Sequence, residues 1–449
     1  MTVSGREANG VRTVPPLGPH RRLTVPAQAE RRLANGLTVI AIRRPTVPLV
    51  ELRLWIPFGR AHVARAALLA QTLFAGTETA SMVEIAAELQ SVGGALVADV
   101  DPDRLLITGN GLVTGLDRIL EILGDVLTGA AYPRAEVATE RERLADQIQV
   151  AETQPAHLAR VALLRRIFGR HPYAVQTPTI DQVRAVQPAQ LRALHEERVR
   201  PDEAVLVLVG DLRPEQALDA AERALEGWAS GGRNRPLPPI PDLTPKPLLI
   251  VDRPGSVQTA LRIALPAVAR THPDHAALQL ANLVFGGYFS SRWVENIRED
   301  KGYTYSPHSV IEHLAAGSRL VIAADVATEV TAPALVETMY ELGRLASLPP
   351  QEEELEQARQ YALGSLRLSM STQAGLANLA TTLAGAGLRL PFLAEYAAQL
   401  AAVTREEVAA AAATYLAPSR AVGILLGDGD RIASAVSAVT AVERADGTP

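Results

Sequence analysis

The chain is predicted to be an α+β protein of two duplicated domains, each a mainly antiparallel sheet with helices packed on one face. Three observations carry this. The sequence repeats itself at an offset of about 209 residues, short Val/Leu/Ile-rich runs alternate with long helical periodicities in each copy, and a Pro- and Gly-rich segment separates the copies.

The repeat is read in chain order. Arg44-Pro45 is followed by Leu52-Arg53-Leu54 and Pro57, and Arg253-Pro254 by Leu261-Arg262-Ile263 and Pro266, at one spacing. Both are apolar runs closed by proline, which removes a ladder donor and ends pairing, so they read as strands. Ala67-Leu68, Leu73 and Gly76 match Ala277-Leu278, Leu283 and Gly286. Thr153-Gln154 matches Thr372-Gln373, each leading into a helical stretch, and Ala204 to Asp211 matches Ala421 to Asp428. Apolar residues recur at helical spacing from Ala135 to Val150 and from Pro349 to Met370. The expected boundaries are a flexible tail at 1–25, a first domain at 26–228, a linker at 229–247, a second domain at 248–440 and a tail at 441–449. Within each copy the pattern reads strand, strand, helices, strand, long helices, strand.

Composition narrows the function classes. Of 449 residues, 47% are hydrophobic and 21% charged, enough for a substantial core. The net charge of −5, with no basic block, argues against nucleic acid as a partner. There are no cysteines, so thiolate metal sites, disulfides and Cys nucleophiles are excluded. No apolar run is long enough to span a membrane, and the amino-terminal stretch lacks the apolar core of a signal peptide; these features point to a cytoplasmic protein. No phosphate loop is present, because no Gly-Lys-Ser/Thr follows Gly286 and Gly287.

The histidines form no obvious ligand set. His62 precedes a helix as a surface residue, His171 sits in a turn, and His157 and His195 lie on helices without a sequence partner. His272 and His275, with Asp274 between them, read as a solvated loop with a weak metal-binding alternative, and His308 and His313 flank a strand.

Four segments in order, "NGLTVIAIRRPTVPLVELRLWIPFG", "FGRHPY", "VLVLVGDL" and "FGGYFSSRWVENIREDKGYTYSPHS", together resemble the pitrilysin/insulinase-type (M16) metallopeptidases, most closely their two-domain branch. The resemblance implies a zinc site of the form His-x-x-Glu-His on the helix that here reads "AALLAQTLFAGT", with a further Glu 76 residues downstream of the second His. Aligning the motif's ending with Phe74 and Gly76-Thr77 places the two His positions at Ala67 and Gln71. The general-base position falls at Ala70 and the downstream ligand at Gln147. Ala has no donor atom and a neutral amide is a poor zinc ligand, so no metal is expected in this chain.

The same resemblance implies that Arg298 and Tyr305, on either side of Lys301-Gly302, form the pair that reaches into the catalytic chamber and holds the substrate backbone and oxyanion. Read without it, Arg298 is a surface residue paired with Glu299 or Asp300, and Tyr305 lies in a strand. Gly286 and Gly287 are expected to shape the chamber wall. The implied function is a non-catalytic, substrate-binding subunit of a heterodimeric zinc endopeptidase, inactive by itself, whose partner supplies His-x-x-Glu-His and the zinc. The substrate is an unfolded or short peptide, a leader peptide among the possibilities. A proteolytically inactive scaffold or peptide-binding protein of the same fold is the alternative.

Overall fold

The computed structural model describes residues 23–231 and 235–445. Most of the tail expected at 1–25 lies outside them, as does part of the linker. The first half contributes β1 (Gln28–Arg32), β2 (Thr38–Arg43), β3 (Leu49–Pro57), β4 (Ala95–Val100), β5 (Arg104–Leu112) and β6 (Val205–Gly210). These form one sheet in the order β1-β2-β6-β3-β5-β4, antiparallel except for β2 beside β6. The second half contributes β7 (Leu248–Asp252), β8 (Gln258–Pro266), β9 (His308–Leu314), β10 (Gly317–Ala327), β11 (Val422–Gly427) and β12 (Val442–Arg444). Its order, β12-β7-β11-β8-β10-β9, repeats the first. Hairpins β4–β5 and β9–β10 stand where the sequence pattern suggested single strands.

The repeated segments occupy equivalent places. In β3 the inward residues Val50, Leu52, Leu54 and Ile56 join the first core, and in β8 Leu261, Ile263 and Leu265 join the second. The arginines between them are also equivalent. Arg53 Nη1 donates to the carbonyls of Leu52 and Gly109 at 2.8 and 3.1 Å, and Arg262 Nη1 to those of Leu261 and Ala324 at 2.9 and 3.0 Å. Each buried guanidinium also has a carboxylate partner, Glu51 or Asp325, as a cation removed from water requires.

Each half's own helices cover one face of its sheet, and the opposite face is covered by a helix from the other half. Helix Pro155–Phe168 packs Ala159, Leu163 and Phe168 against Ala260, Ala264 and Ile424 of the second sheet. Helix Gln373–Gly385 packs Leu376, Ala380 and Leu383 against Ile40, Val207 and Val209 of the first. β6 and β11 are therefore buried along their whole length, which explains their continuous apolar runs. The repeated Arg-Pro turns hold the elbows of these exchanged helices. Arg44 donates to the carbonyl of Ser371 and Arg253 to that of Thr153, both at 2.9 Å.

Further contacts join the halves. Asp103, between β4 and β5, accepts from the Tyr173 hydroxyl and from the Ala315 amide at 2.9 Å, and Tyr173 also accepts from the Ala316 amide at 3.1 Å. Burial raises the Asp103 carboxyl above its ordinary range. The described part of the 229–247 linker runs along the protein, with Leu237, Ile240 and Leu243 packed on the core behind helix Pro155–Phe168. Its backbone is tied at Ile240 to Ala316 (3.2 Å) and at Pro238 to His171 Nε2 (2.8 Å).

Two boundaries differ from expectation. Residues 23–25 are not tail, because Leu23 and Val25 pack beside Leu376. The carboxy-terminal tail expected from 441 begins with β12, which pairs parallel to β7 and covers an edge that would otherwise expose its hydrogen-bonding groups. The two sheets thus take their outermost strands from opposite ends of the chain.

Candidate functional site

Helix Val63–Thr72 buries Ala64, Ala66, Leu68, Leu69, Ala70 and Thr72. Ala67 and Gln71, one turn apart, lie on its half-buried flank. The chain leaves this helix through Gly76, whose φ of 146° is a conformation L side chains rarely adopt. Helix Arg134–Thr153 brings Gln147 alongside, and Gln71 Nε2 donates to Gln147 Oε1 at 3.5 Å. The two positions aligned 76 residues apart are therefore neighbours in space. Ala70 faces the core at 5% exposure.

These residues do not fit a zinc ion. Ala67 and Ala70 carry no ligand atom, and the two amides bond to one another, with Gln71 Oε1 buried and unpartnered. A dication there would lose its hydration with no anionic or imidazole donor to offset it. Asp146, next to Gln147, is exposed.

The second locus is a groove in the second half. Arg298 lies in the wide helical turn Glu295–Asp300, where the Lys301 amide bonds back to the Asn296 carbonyl at 3.2 Å. Such i→i+5 turns are uncommon and concentrate at functional sites. Gly302, with φ of 64°, breaks the helix and lets the chain turn to Tyr305. Thr304 Oγ1 anchors that turn by donating to the Asp325 carbonyl at 2.7 Å. Tyr305 lies in this loop rather than in a strand and is 83% exposed.

The Arg298 guanidinium stands 5.4 Å from the Tyr305 ring centroid and 4.4 Å from that of Phe289. Its Nε faces Glu299 at 3.4 Å, so the surface ion pair and the aromatic contacts coexist. A guanidinium held over aromatic rings still has N–H donors to offer a carbonyl or carboxylate. Phe289, 61% exposed, was not singled out in the sequence, where its only mark is an aromatic two residues past Gly286-Gly287.

Arg298 and Tyr305 form the ridge between two hollows. One, of about 640 Å³, is lined by Gln258, Glu299, Tyr303 and Asp325. The other, of about 330 Å³, is lined by Gly286, Gly287, Phe289, Val294 and His308. Both glycines are needed where they stand. A Cβ on Gly286 would lie 2.9 Å from the Trp293 ring, and one on Gly287 would lie 2.8 Å from Asn282 Nδ2. The structure thus brings Arg298, Tyr305, Gly286 and Gly287 to one groove.

The histidines divide differently from the sequence reading. His275 belongs to no solvated loop: it is 2% exposed, and its Nε2 lies 3.3 Å from that of His313, which bonds through Nδ1 to Ser318 at 2.8 Å. Tyr396 covers the His275 ring at 5.1 Å. Burial, reinforced by nearby Arg270, pulls His275 down to about 4 and His313 to about 3. His195 is buried too, with Nδ1 2.7 Å from the Tyr132 hydroxyl and Nε2 2.9 Å from the Leu127 carbonyl. Among the described residues, no three His, Asp or Glu side chains converge as a metal site. No helix there is long and apolar enough to cross a membrane.

Comparison with known proteins gives concordant results. The profile described as "Insulinase (Peptidase family M16)" matches residues 38–178, and that of the "Peptidase M16 inactive domain" matches residues 185–361. An uncharacterized zinc protease of Mycobacterium leprae (strain TN) is 25% identical over 300 residues, 65% of this chain and 67% of the relative. The probable inactive metalloprotease YmfF of Bacillus subtilis (strain 168) is 23% identical over 403 residues, 83% of this chain and 92% of the relative. Among solved structures, a peptidase M16 inactive domain from Pseudomonas fluorescens superposes with a TM-score of 0.82 at 23% identity, covering 89% of this chain and 98% of its own. A protease from Helicobacter pylori gives 0.82 at 17% identity, covering 90% and 100%.

Proposed function

We propose, from the premise that this chain belongs to the peptidase M16 (insulinase) family as an inactive, pseudopeptidase-type member, that it is the substrate-binding subunit of a heterodimeric zinc endopeptidase. The observation that carries the reading is an asymmetry between the halves. The first half has Ala67, Ala70, Gln71 and Gln147 where the chemistry would need ligands and a base. The second presents Arg298 and Tyr305 as a braced, solvent-facing pair.

A partner chain supplies zinc, its ligands and the general base. This chain supplies binding and charge stabilisation. Arg298 donates in its own plane to a substrate carbonyl, and the Tyr305 O–H donates to the oxygen that gains negative charge. One such donor aimed at an oxyanion contributes about 3 kcal/mol. The substrate is an extended peptide, unfolded or short, that lies across the ridge with a side chain in each hollow. A leader peptide meets that description.

The test is co-expression with a His-x-x-Glu-His partner of the same family, encoded beside this chain. This chain with added zinc is expected to cleave nothing, and the pair to cleave an unstructured peptide. Arg298→Ala and Tyr305→Phe are each expected to lower kcat/KM about 100-fold, with the two chains still co-purifying. Unchanged turnover in both variants would establish the scaffold reading instead.

A further inference from the structure

We propose that the second half carries a binding site for a small planar aromatic acid, in a cavity whose counterpart in the first half is filled by Trp228. The internal duplication supplies the comparison. Aligning β6 with β11 places Pro201 on Pro418 and Leu206 on Gly423, and the strand pairing then places Val39 on Leu248 and Leu54 on Ile263.

In the first half, Trp228 is the third residue past helix Pro214–Leu225. Its ring is 1% exposed and Nε1 donates to the Val199 carbonyl at 3.0 Å. In the second half, the third residue past helix Gly429–Ser437 is Thr440. The indole has no replacement. A Cβ on Gly423 would lie 2.9 Å from Leu248 and 3.0 Å from Ile263, so those two side chains already fill the place of Leu206. The room of the indole stays open, as a cavity of about 380 Å³ lined by Ile263, Leu335, Met339, Val439 and Thr440. Close-packed interiors do not leave such volumes empty without cost, and this one falls within the roughly 300–1,000 Å³ of small-ligand pockets.

The rim sets the charge of the ligand. Among the described residues, Lys246 is the one charged side chain lining the cavity. Of the chain's two lysines, Lys301 pairs with Glu337 at 3.3 Å, whereas Lys246 has no carboxylate partner among the described residues. A flat ring seated on Leu335 and Met339 with a carboxylate at the mouth satisfies both the apolar wall and the ammonium. This inference is independent of the peptidase-subunit reading.

The test is calorimetric titration of the full chain with indole-3-acetate, indole and tryptamine. Indole-3-acetate is expected to bind one per chain and tryptamine not to bind. Thr440→Trp, which restores the first half's filler, is expected to abolish binding while holding or raising Tm. Lys246→Met is expected to weaken indole-3-acetate about 10-fold and leave indole unchanged. Met339→Phe narrows the same cavity and provides the blocking test if the tryptophan variant does not fold. Absence of binding by the wild-type chain, binding that survives both blocking variants, or equal affinity for tryptamine would each overturn the proposal.

Discussion

At the scale of single residues, what distinguishes this chain is where ionisable and ligand side chains are missing or held. Gln71 and Gln147 touch across two helices, and Ala67 lies one turn before Gln71, so the positions meet with two neutral amides and no imidazole or carboxylate among them. Restoring the donors as Ala67→His, Ala70→Glu, Gln71→His and Gln147→Glu is expected to yield stoichiometric zinc by elemental analysis, against none for the parent chain. The His275–His313 pair makes a separate prediction. Both rings are kept neutral by burial, with pKa values of about 4 and about 3 against an ordinary value near 6.5. Between those values the unfolded chain binds more protons than the folded one. Stability is therefore full above about pH 6.5 and is lost as pH falls toward 4, by about 1.4 kcal/mol per pH unit for each proton. Urea unfolding across that range should show the slope, and His275→Phe with His313→Leu should flatten it. Among the described residues, the charged and polar groups facing the pair, Arg270, His272, Ser318 and Tyr396, include no anion to hold a protonated ring.

At the scale of elements, the exchanged helices link the stability of each half to the other's sequence. Leu376 is fully buried on helix Gln373–Gly385, yet its neighbours Ile40, Val207 and Val209 belong to the first sheet. Leu376→Ala is expected to cost about 2–5 kcal/mol. Hydrogen exchange is expected to report the loss of protection in β6 and β3 of the first half, although the substitution is in the second. Gly385 is constrained in the same way, since a Cβ there would sit 2.9 Å from the Trp55 indole nitrogen. Gly385→Val should push the helix end off the sheet at about 1–3 kcal/mol. The Arg44 and Arg253 contacts to the elbows of the two helical hairpins fix where each long helix turns.

At the scale of the whole molecule, the exchange makes the two halves one folding unit rather than two beads on a hinge. A chain cut within 229–247 is expected to remain a tight complex on a sizing column. Each half expressed separately is expected to aggregate, because one face of its sheet lacks the covering helix. The duplication, the α+β class and the family were legible in the residues. Identical spacings around Arg44-Pro45 and Arg253-Pro254 reflect identical strands, and strand and helix periods are local properties of the chain. That Ala67 and Ala70 can hold no metal was legible too, since no fold can give an alanine a donor atom. The exchange of helices, the strand formed at 442–444, the pairing of His275 with His313 and the bracing of Arg298 by Phe289 were decided only in three dimensions. Each joins residues far apart in sequence or turned toward one another by a loop, and an apolar face carries no record of which partner covers it.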